Sequence, residues 1–214
     1  MSSTQNMKRY VQYGCGFTAP VGWINYDASP TLRYERLPLI GKLYTRNSQR
    51  FPDNVKYGDI VRGLPEQPDS CDAVYCSHIL EHLAYSDFKN ALKNTYTILK
   101  PGGVFRAVVP DLKAAVDAYI ENYANQNSPA SEFMRSTMLG VEHRGSGPRS
   151  VLMKLFGNSK HLWMWDYPSF RYELQQAGFR DIRPCRFGDA NEKQFALVEE
   201  EGRFYGAVAI ECYK

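Results

Sequence analysis

The sequence has no apolar run approaching the roughly 20 residues that a membrane-spanning helix needs. Its first residues, Met1 to Asn6, are polar and lack a signal-peptide core. Both absences predict a cytoplasmic protein with no membrane partner. Cys-x-x-Cys spacing is missing as well. Cys15, Cys71, Cys76, Cys185 and Cys212 are scattered, which excludes a disulfide framework and reads as reduced thiols. Charge of one sign is scarce: the net charge is +3, and Lys and Arg are interspersed with Asp and Glu, so no nucleic-acid partner is expected. No metal site follows, because His78 and His82 lack a third ligand at recognisable spacing. Internal repeats and low-complexity runs are absent.

What is present suits one domain spanning residues 1–214, with 43% hydrophobic residues to build a core. From Tyr10 to Leu112 short apolar runs alternate with helical stretches, the pattern of βαβ units. Strands are predicted at 9–14, 23–27, 55–58, 72–76 and 104–109. Phe88, Leu92, Tyr96 and Leu99 recur at helical spacing over 86–99, and Pro101-Gly102-Gly103 then predicts a stop before the next strand. Asp111 is placed to cap a helix running to about Asn125. Residues 126–160 are rich in Ser, Asn, Gly and Pro, with short helices predicted at Glu132 to Leu139 and Val151 to Phe156, and about 126–166 reads as an inserted lid. A helix from Ser169 to Ala177 ends at Gly178, and strands 181–187 and 205–212 close the sheet as an antiparallel pair. The expected fold is α/β: a Rossmann-like, doubly wound, mostly parallel seven-stranded sheet with an antiparallel C-terminal strand pair and a helical lid insertion.

Val11-Gln12-Tyr13-Gly14-Cys15-Gly16 and Ile24-Asn25-Tyr26-Asp27 form a nucleotide-binding corner. Gly14 and Gly16 stand where the chain must turn and let a ligand approach the backbone. Asp27 ends the second run, where a carboxylate accepts from the two hydroxyls of a ribose. A dinucleotide-binding oxidoreductase using NAD shares these features, but its fingerprint requires a third glycine and a helix beneath a pyrophosphate. Here Phe17 and Thr18 follow Gly16, and no full helix fits before Asn25.

Three further segments extend the corner: Tyr57-Gly58-Asp59-Ile60, Asp72 to Leu83 with its Ser77-His78-Ile79-Leu80-Glu81-His82 run, and Leu99-Lys100-Pro101-Gly102-Gly103-Val104-Phe105. With them the chain resembles the class I S-adenosylmethionine-dependent methyltransferases from Tyr10 to Gly178. It is most similar to the small type 11-like subgroup found among glycan and natural-product tailoring enzymes. The resemblance implies that Gly14 and Gly16 meet the methionine moiety, Asp27 the ribose, and Asp59 with Ile60 the adenine. The bland alternative for Asp59 is a strand-end turn. Two departures from the family pattern stand out: Gln12 occupies the place of the usual acid, and the Phe17 to Trp23 link replaces the usual first helix.

Ser77 and His78 fall at the end of the fourth strand, the ligand-bearing edge of such sheets. His78 is suited to take a proton from an attacking hydroxyl or amine, or it simply contacts cofactor and shapes the site. Glu81 and His82 are read as structural. Asp111 either faces substrate or serves only as a helix cap. In the insertion, Arg144 and Arg149 could grip a carboxylate or phosphate, while His161 and Trp163 suit a sugar-like acceptor and His161 is a second candidate base; a solvated loop and an aromatic core stripe are the alternatives. The expected activity is direct displacement of a methyl group from S-adenosylmethionine by an oxygen or nitrogen of a small-molecule or glycan-type acceptor. A non-catalytic S-adenosylmethionine-binding protein of the same fold, or the NAD-dependent oxidoreductase, would be the other outcomes.

Overall fold

In the computed structural model, which describes residues 8–39, 41, 47–125, 127–142 and 160–214, the apolar runs pair into one seven-stranded sheet. Its strands are β1 (Tyr10–Tyr13), β2 (Trp23–Asp27), β3 (Val55–Tyr57), β4 (Cys71–Ser77), β5 (Leu99–Pro110), β6 (Arg180–Pro184) and β7 (Ala207–Tyr213). They lie in the order β3-β2-β1-β4-β5-β7-β6. The first five pair in parallel, and β7 runs antiparallel to both neighbours. The helices are α1 (Pro30–Glu35), α2 (Tyr85–Ile98), α3 (Leu112–Asn122), α4 (Pro129–Ser136) and α5 (Tyr167–Gln176).

Central parallel strands are covered on both faces, so they read as continuous apolar runs without alternation. β4 behaves this way, with every position buried except the half-buried Asp72. The period of two still sorts its side chains. Val74 and Cys76 join Val11, Phe105 and Val109 beneath α2 and α5, which contribute Phe88, Leu92, Phe170 and Leu174. Ala73 and Tyr75 point the other way, packing with Tyr10, Trp23 and Val108 against Phe195 and Val198. The segment leading into β7 therefore covers the second face.

α2 buries Phe88, Ala91, Leu92, Thr95 and Ile98, one helical stripe; full burial of a Phe or Leu side chain is worth about 1.5–3 kcal/mol. The helix ends at Ile98, and Pro101-Gly102-Gly103 is not the predicted turn between helix and strand. Leu99 already pairs with Cys71, and the register resumes at Val104 opposite Ala73, so the Pro-Gly-Gly run is an excursion within β5. Gly102, at φ +78°, supplies the left-handed conformation there.

α3 starts where predicted, with the Asp111 carboxylate accepting from Lys113 N at 2.8 Å. Asp166 likewise caps α5, accepting from Ser169 N at 2.9 Å. In the insertion α4 begins at Pro129, a residue favoured in the first helical turn, three positions before the predicted start. The helix predicted at Val151 to Phe156 lies outside the described residues. Among the described residues no helix is long and apolar enough to cross a membrane, and all five cysteines are free and buried.

Candidate active site

From β1 the chain proceeds outward to β2 and β3, and from β4 outward in the opposite direction to β5. The carboxyl ends of β1 and β4 thus flank the point where the winding reverses, the place where open α/β sheets form a ligand crevice. Gly14 and Gly16 follow β1, Asp27 ends β2, Asp59 and Ile60 follow β3, and Ser77 and His78 stand at the end of β4. All seven expected cofactor contacts therefore share one sheet edge.

The β1–β2 link contains no helix. Gln12, 2% exposed, holds it in place: its Nε2 donates to Thr18 O at 2.7 Å and to Asn25 Oδ1 at 2.6 Å. Gly14 and Gly16 adopt φ of +65° and +54°. The two glycines are needed for different reasons. A Cβ on Gly14 would fall 2.1 Å from Ile79 Cδ1, whereas nothing lies within 4 Å of one on Gly16, so Gly16 faces open space. Asp27 closes the corner, accepting from Gly16 N at 3.0 Å and Ser29 N at 2.7 Å. Burial raises its carboxyl above the ordinary value, against the lowering effect of those two amides.

Asp59 forms a strand-end turn, accepting from Val61 N at 3.0 Å, and Ile60 is buried in the main core. Asp59 is partly exposed at the crevice, with Arg62 3.5 Å away. Tyr75 Oη and Ser77 Oγ are buried without hydrogen-bond partners among the described residues, and both line the cleft with Gly14 and Thr18.

Glu200 and Arg203 line the same cleft, and no sequence motif had singled them out. Glu200 accepts from Thr18 Oγ1 at 2.6 Å, which brings a carboxylate beside the position where Gln12 replaces an acid. The route to this placement is long-range. Arg106 of β5, fully buried, binds Glu199 at 2.6 Å, Glu211 of β7 at 2.8 Å and Asp189 at 3.0 Å, and thereby anchors the residue next to Glu200. Only a sheet register could have revealed that pairing.

At the end of β4 the backbone is unusual: His78 has φ +55°, a conformation uncommon outside glycine. Its Nε2 lies 2.9 Å from Arg203 O, and its Nδ1 faces Glu81 Oε1 at 3.5 Å. Glu81 sits in the single turn Leu80–His82 and is completely buried. Its carbonyl accepts from Leu162 N at 2.7 Å and Trp163 N at 3.1 Å. These bonds latch residues 160–163 onto the end of β4 and bring His161 beside Glu81. His78 is pushed down by burial, but Glu81 and the Arg203 carbonyl outweigh that effect and hold it above its ordinary value. Burial dominates at His161 and holds it below.

Trp163, 44% exposed, lies beside Tyr85 at the rim of a groove with Asp166 and Tyr172, whereas Trp165 is buried against Phe88. Asp111 bridges to Trp165 and keeps its capping bond. Arg144 and Arg149 lie outside the described residues.

Residues 11–107 match the family model of a methyltransferase domain. The matched segment runs from β1 into β5 and so contains the glycine corner, Asp27 and the Ser77-His78 strand end. A search of curated proteins returned no match. Among solved structures, the chain is similar to an S-adenosylmethionine-dependent methyltransferase of Thermotoga maritima described as a possible histamine N-methyltransferase. Identity is 17%, covering 96% of this chain and 82% of that one, with a TM-score of 0.50. It is also similar to PigF solved with S-adenosylhomocysteine: identity is 14%, covering 100% of this chain and 52% of that one, with a TM-score of 0.50. At these identities the likeness concerns the fold.

Proposed function

We propose that this methyltransferase moves a methyl group from S-adenosylmethionine to an oxygen or nitrogen of a small-molecule or glycan-type acceptor by direct displacement. The observation that carries the reading is the corner after β1. A buried carboxylate, Asp27, is tied to Gly16 N beside open space, and no helix between β1 and β2 presents its amino terminus to a pyrophosphate. The arrangement suits a single nucleoside and argues against NAD.

The chain's polar groups fit such a cofactor. Asp27 would accept from the ribose hydroxyls and Asp59 with the backbone at Ile60 would meet the adenine. Gly14, Gly16 and the unpartnered Ser77 and Tyr75 hydroxyls would surround the methionine portion, with Glu200 near its amino group. When bound, S-adenosylmethionine supplies an electrophilic methyl on a good leaving group. The protein's work is then alignment and exclusion of water. His78 stands beside the cofactor cleft, and through Glu81 it meets His161 of the insertion. These imidazoles are the groups placed to assist loss of an acceptor proton. Trp163 at the groove rim and Asp111 at the end of β5 would meet the acceptor, and Arg144 and Arg149 would pair with an acidic group on it.

Incubating the full chain with radiolabelled S-adenosylmethionine and panels of hydroxyl and amine acceptors should yield labelled product. In His78→Ala turnover should fall about a hundredfold or more, the share ascribed to positioned proton-transfer groups, and far more than cofactor affinity does. Unchanged turnover in that variant would remove His78 from the reaction. Cofactor binding without product across the panels would favour the non-catalytic alternative.

A further inference from the structure

We propose that Glu81, His82 and His161 form a binding site for one divalent first-row transition-metal cation of the zinc class. The starting observation is a carboxylate in an improbable setting. Glu81 is 0% exposed, and neither carboxylate oxygen has a hydrogen-bond partner among the described residues. Removing a carboxylate from water costs several kcal/mol unless a cation or donors compensate. The groups that surround it are imidazole nitrogens: His78 Nδ1 at 3.5 Å, His82 Nε2 at 3.7 Å and His161 Nε2 at 3.9 Å from Glu81 Oε1.

Two of those rings are oriented from behind. His78 Nε2 lies 2.9 Å from Arg203 O, and His82 Nδ1 lies 2.9 Å from Lys160 O. A carbonyl oxygen only accepts, so each of these nitrogens carries the proton. In neutral His82 the opposite nitrogen, Nε2, then turns its lone pair toward Glu81. A lone pair facing an anion repels it; a shared cation reverses the sign. Imidazole donating its far N–H to a backbone carbonyl is the usual outer arrangement of a metal-ligating histidine.

The spacing is compatible with that role. Donor atoms of Glu81, His82 and His161 all lie within 4.8 Å of one another. Bonds of about 2.0–2.1 Å in a tetrahedral site separate ligands by roughly 3.3–3.4 Å, against 3.7 and 3.9 Å from Glu81 to the two imidazoles here, so closure of those pairs onto an ion needs shifts of about half an ångström. Carboxylate with imidazoles selects zinc and neighbouring first-row ions over magnesium or calcium, which prefer oxygen cages. His78 and His82 side chains are about a quarter exposed, which leaves a path for entry. His161 is the third ligand absent from local spacing; the fold supplies it from 79 residues downstream. With a cation bound, His82 and His161 would hold the ion near the cofactor cleft, and His78, outside the cluster, would be the imidazole left to assist loss of an acceptor proton. The site's existence does not depend on the methyl acceptor.

The test uses tag-free full-length protein, stripped with chelator and checked for folding by circular dichroism. Titrations with Zn²⁺, Mn²⁺ and Mg²⁺ followed by calorimetry, together with the Co²⁺ absorption spectrum, should show one bound transition-metal ion with intense tetrahedral Co²⁺ bands and weak or no Mg²⁺ binding. Glu81→Gln should weaken Zn²⁺ binding at least about a hundredfold, and His161→Asn and His82→Asn should each weaken it by tenfold or more. His161→Asn serves if Glu81→Gln fails to fold. Absence of stoichiometric transition-metal binding to the folded protein would overturn the site, leaving a cluster that holds protons only. So would binding that survives the substitution at Glu81 or His161. None of these readouts requires S-adenosylmethionine, so failure here is distinct from failure of the methyl-transfer reading.

Discussion

Asp27 is the residue on which cofactor recognition turns. Its carboxylate keeps the corner closed through Gly16 and Ser29 while retaining oxygen lone pairs for a ligand. Hydrogen bonds to a charged group are each worth about 1.5–3 kcal/mol, so Asp27→Ala should weaken S-adenosylmethionine binding by roughly ten- to several-hundredfold in a calorimetric titration. Glu200→Gln should cost less, because that side chain is half exposed and its charge is partly screened. Equal affinity in wild type and Asp27→Ala would place the ribose elsewhere. Gly14, Gly16 and Asp27 were legible because a turn that needs positive φ and a strand-terminal acid leave a mark within a short window. Glu200 left none, since it reaches the site only through the packing of a distant segment. His78, Glu81 and His82 stood out as a motif, yet their convergence with His161 required the latch between the Glu81 carbonyl and residues 162–163.

At the scale of elements, the helices and central strands followed from apolar spacing and capping, as α2, α3 and α5 illustrate. β5 departed from expectation at Pro101-Gly102-Gly103, because pairing of Leu99 with Cys71 extends the strand across residues whose local preference is a turn. The segment between β6 and β7 was the least legible part. It is held by a buried ionic network, and Arg106 is the hub, contacting Glu199, Glu211, Asp189 and the Arg186 carbonyl. Truncating one member of such a network strands the buried charges that remain. Arg106→Ala should therefore destabilise the domain by about 3–5 kcal/mol in denaturant unfolding, and it should loosen Glu200 and lower cofactor affinity as well. A loss below about 1 kcal/mol would show that the network does not hold the two C-terminal strands to the sheet.

Across the whole molecule, five parallel strands and an antiparallel β7 place β1 beside β4 and put the candidate residues of four strand ends on one edge. Dinucleotide-binding sheets share the winding reversal between β1 and β4, though not the antiparallel β7, so the crevice alone does not choose between cofactors. The choice rests on the helix-free β1–β2 link and the Asp27 corner. The most direct test is a pair of calorimetric titrations of the full chain, one with S-adenosylmethionine and one with NAD. Binding of S-adenosylmethionine at one equivalent, abolished or strongly weakened in Asp27→Ala, with no heat from NAD, is the result predicted. Saturable binding of NAD without binding of S-adenosylmethionine would contradict the central claim.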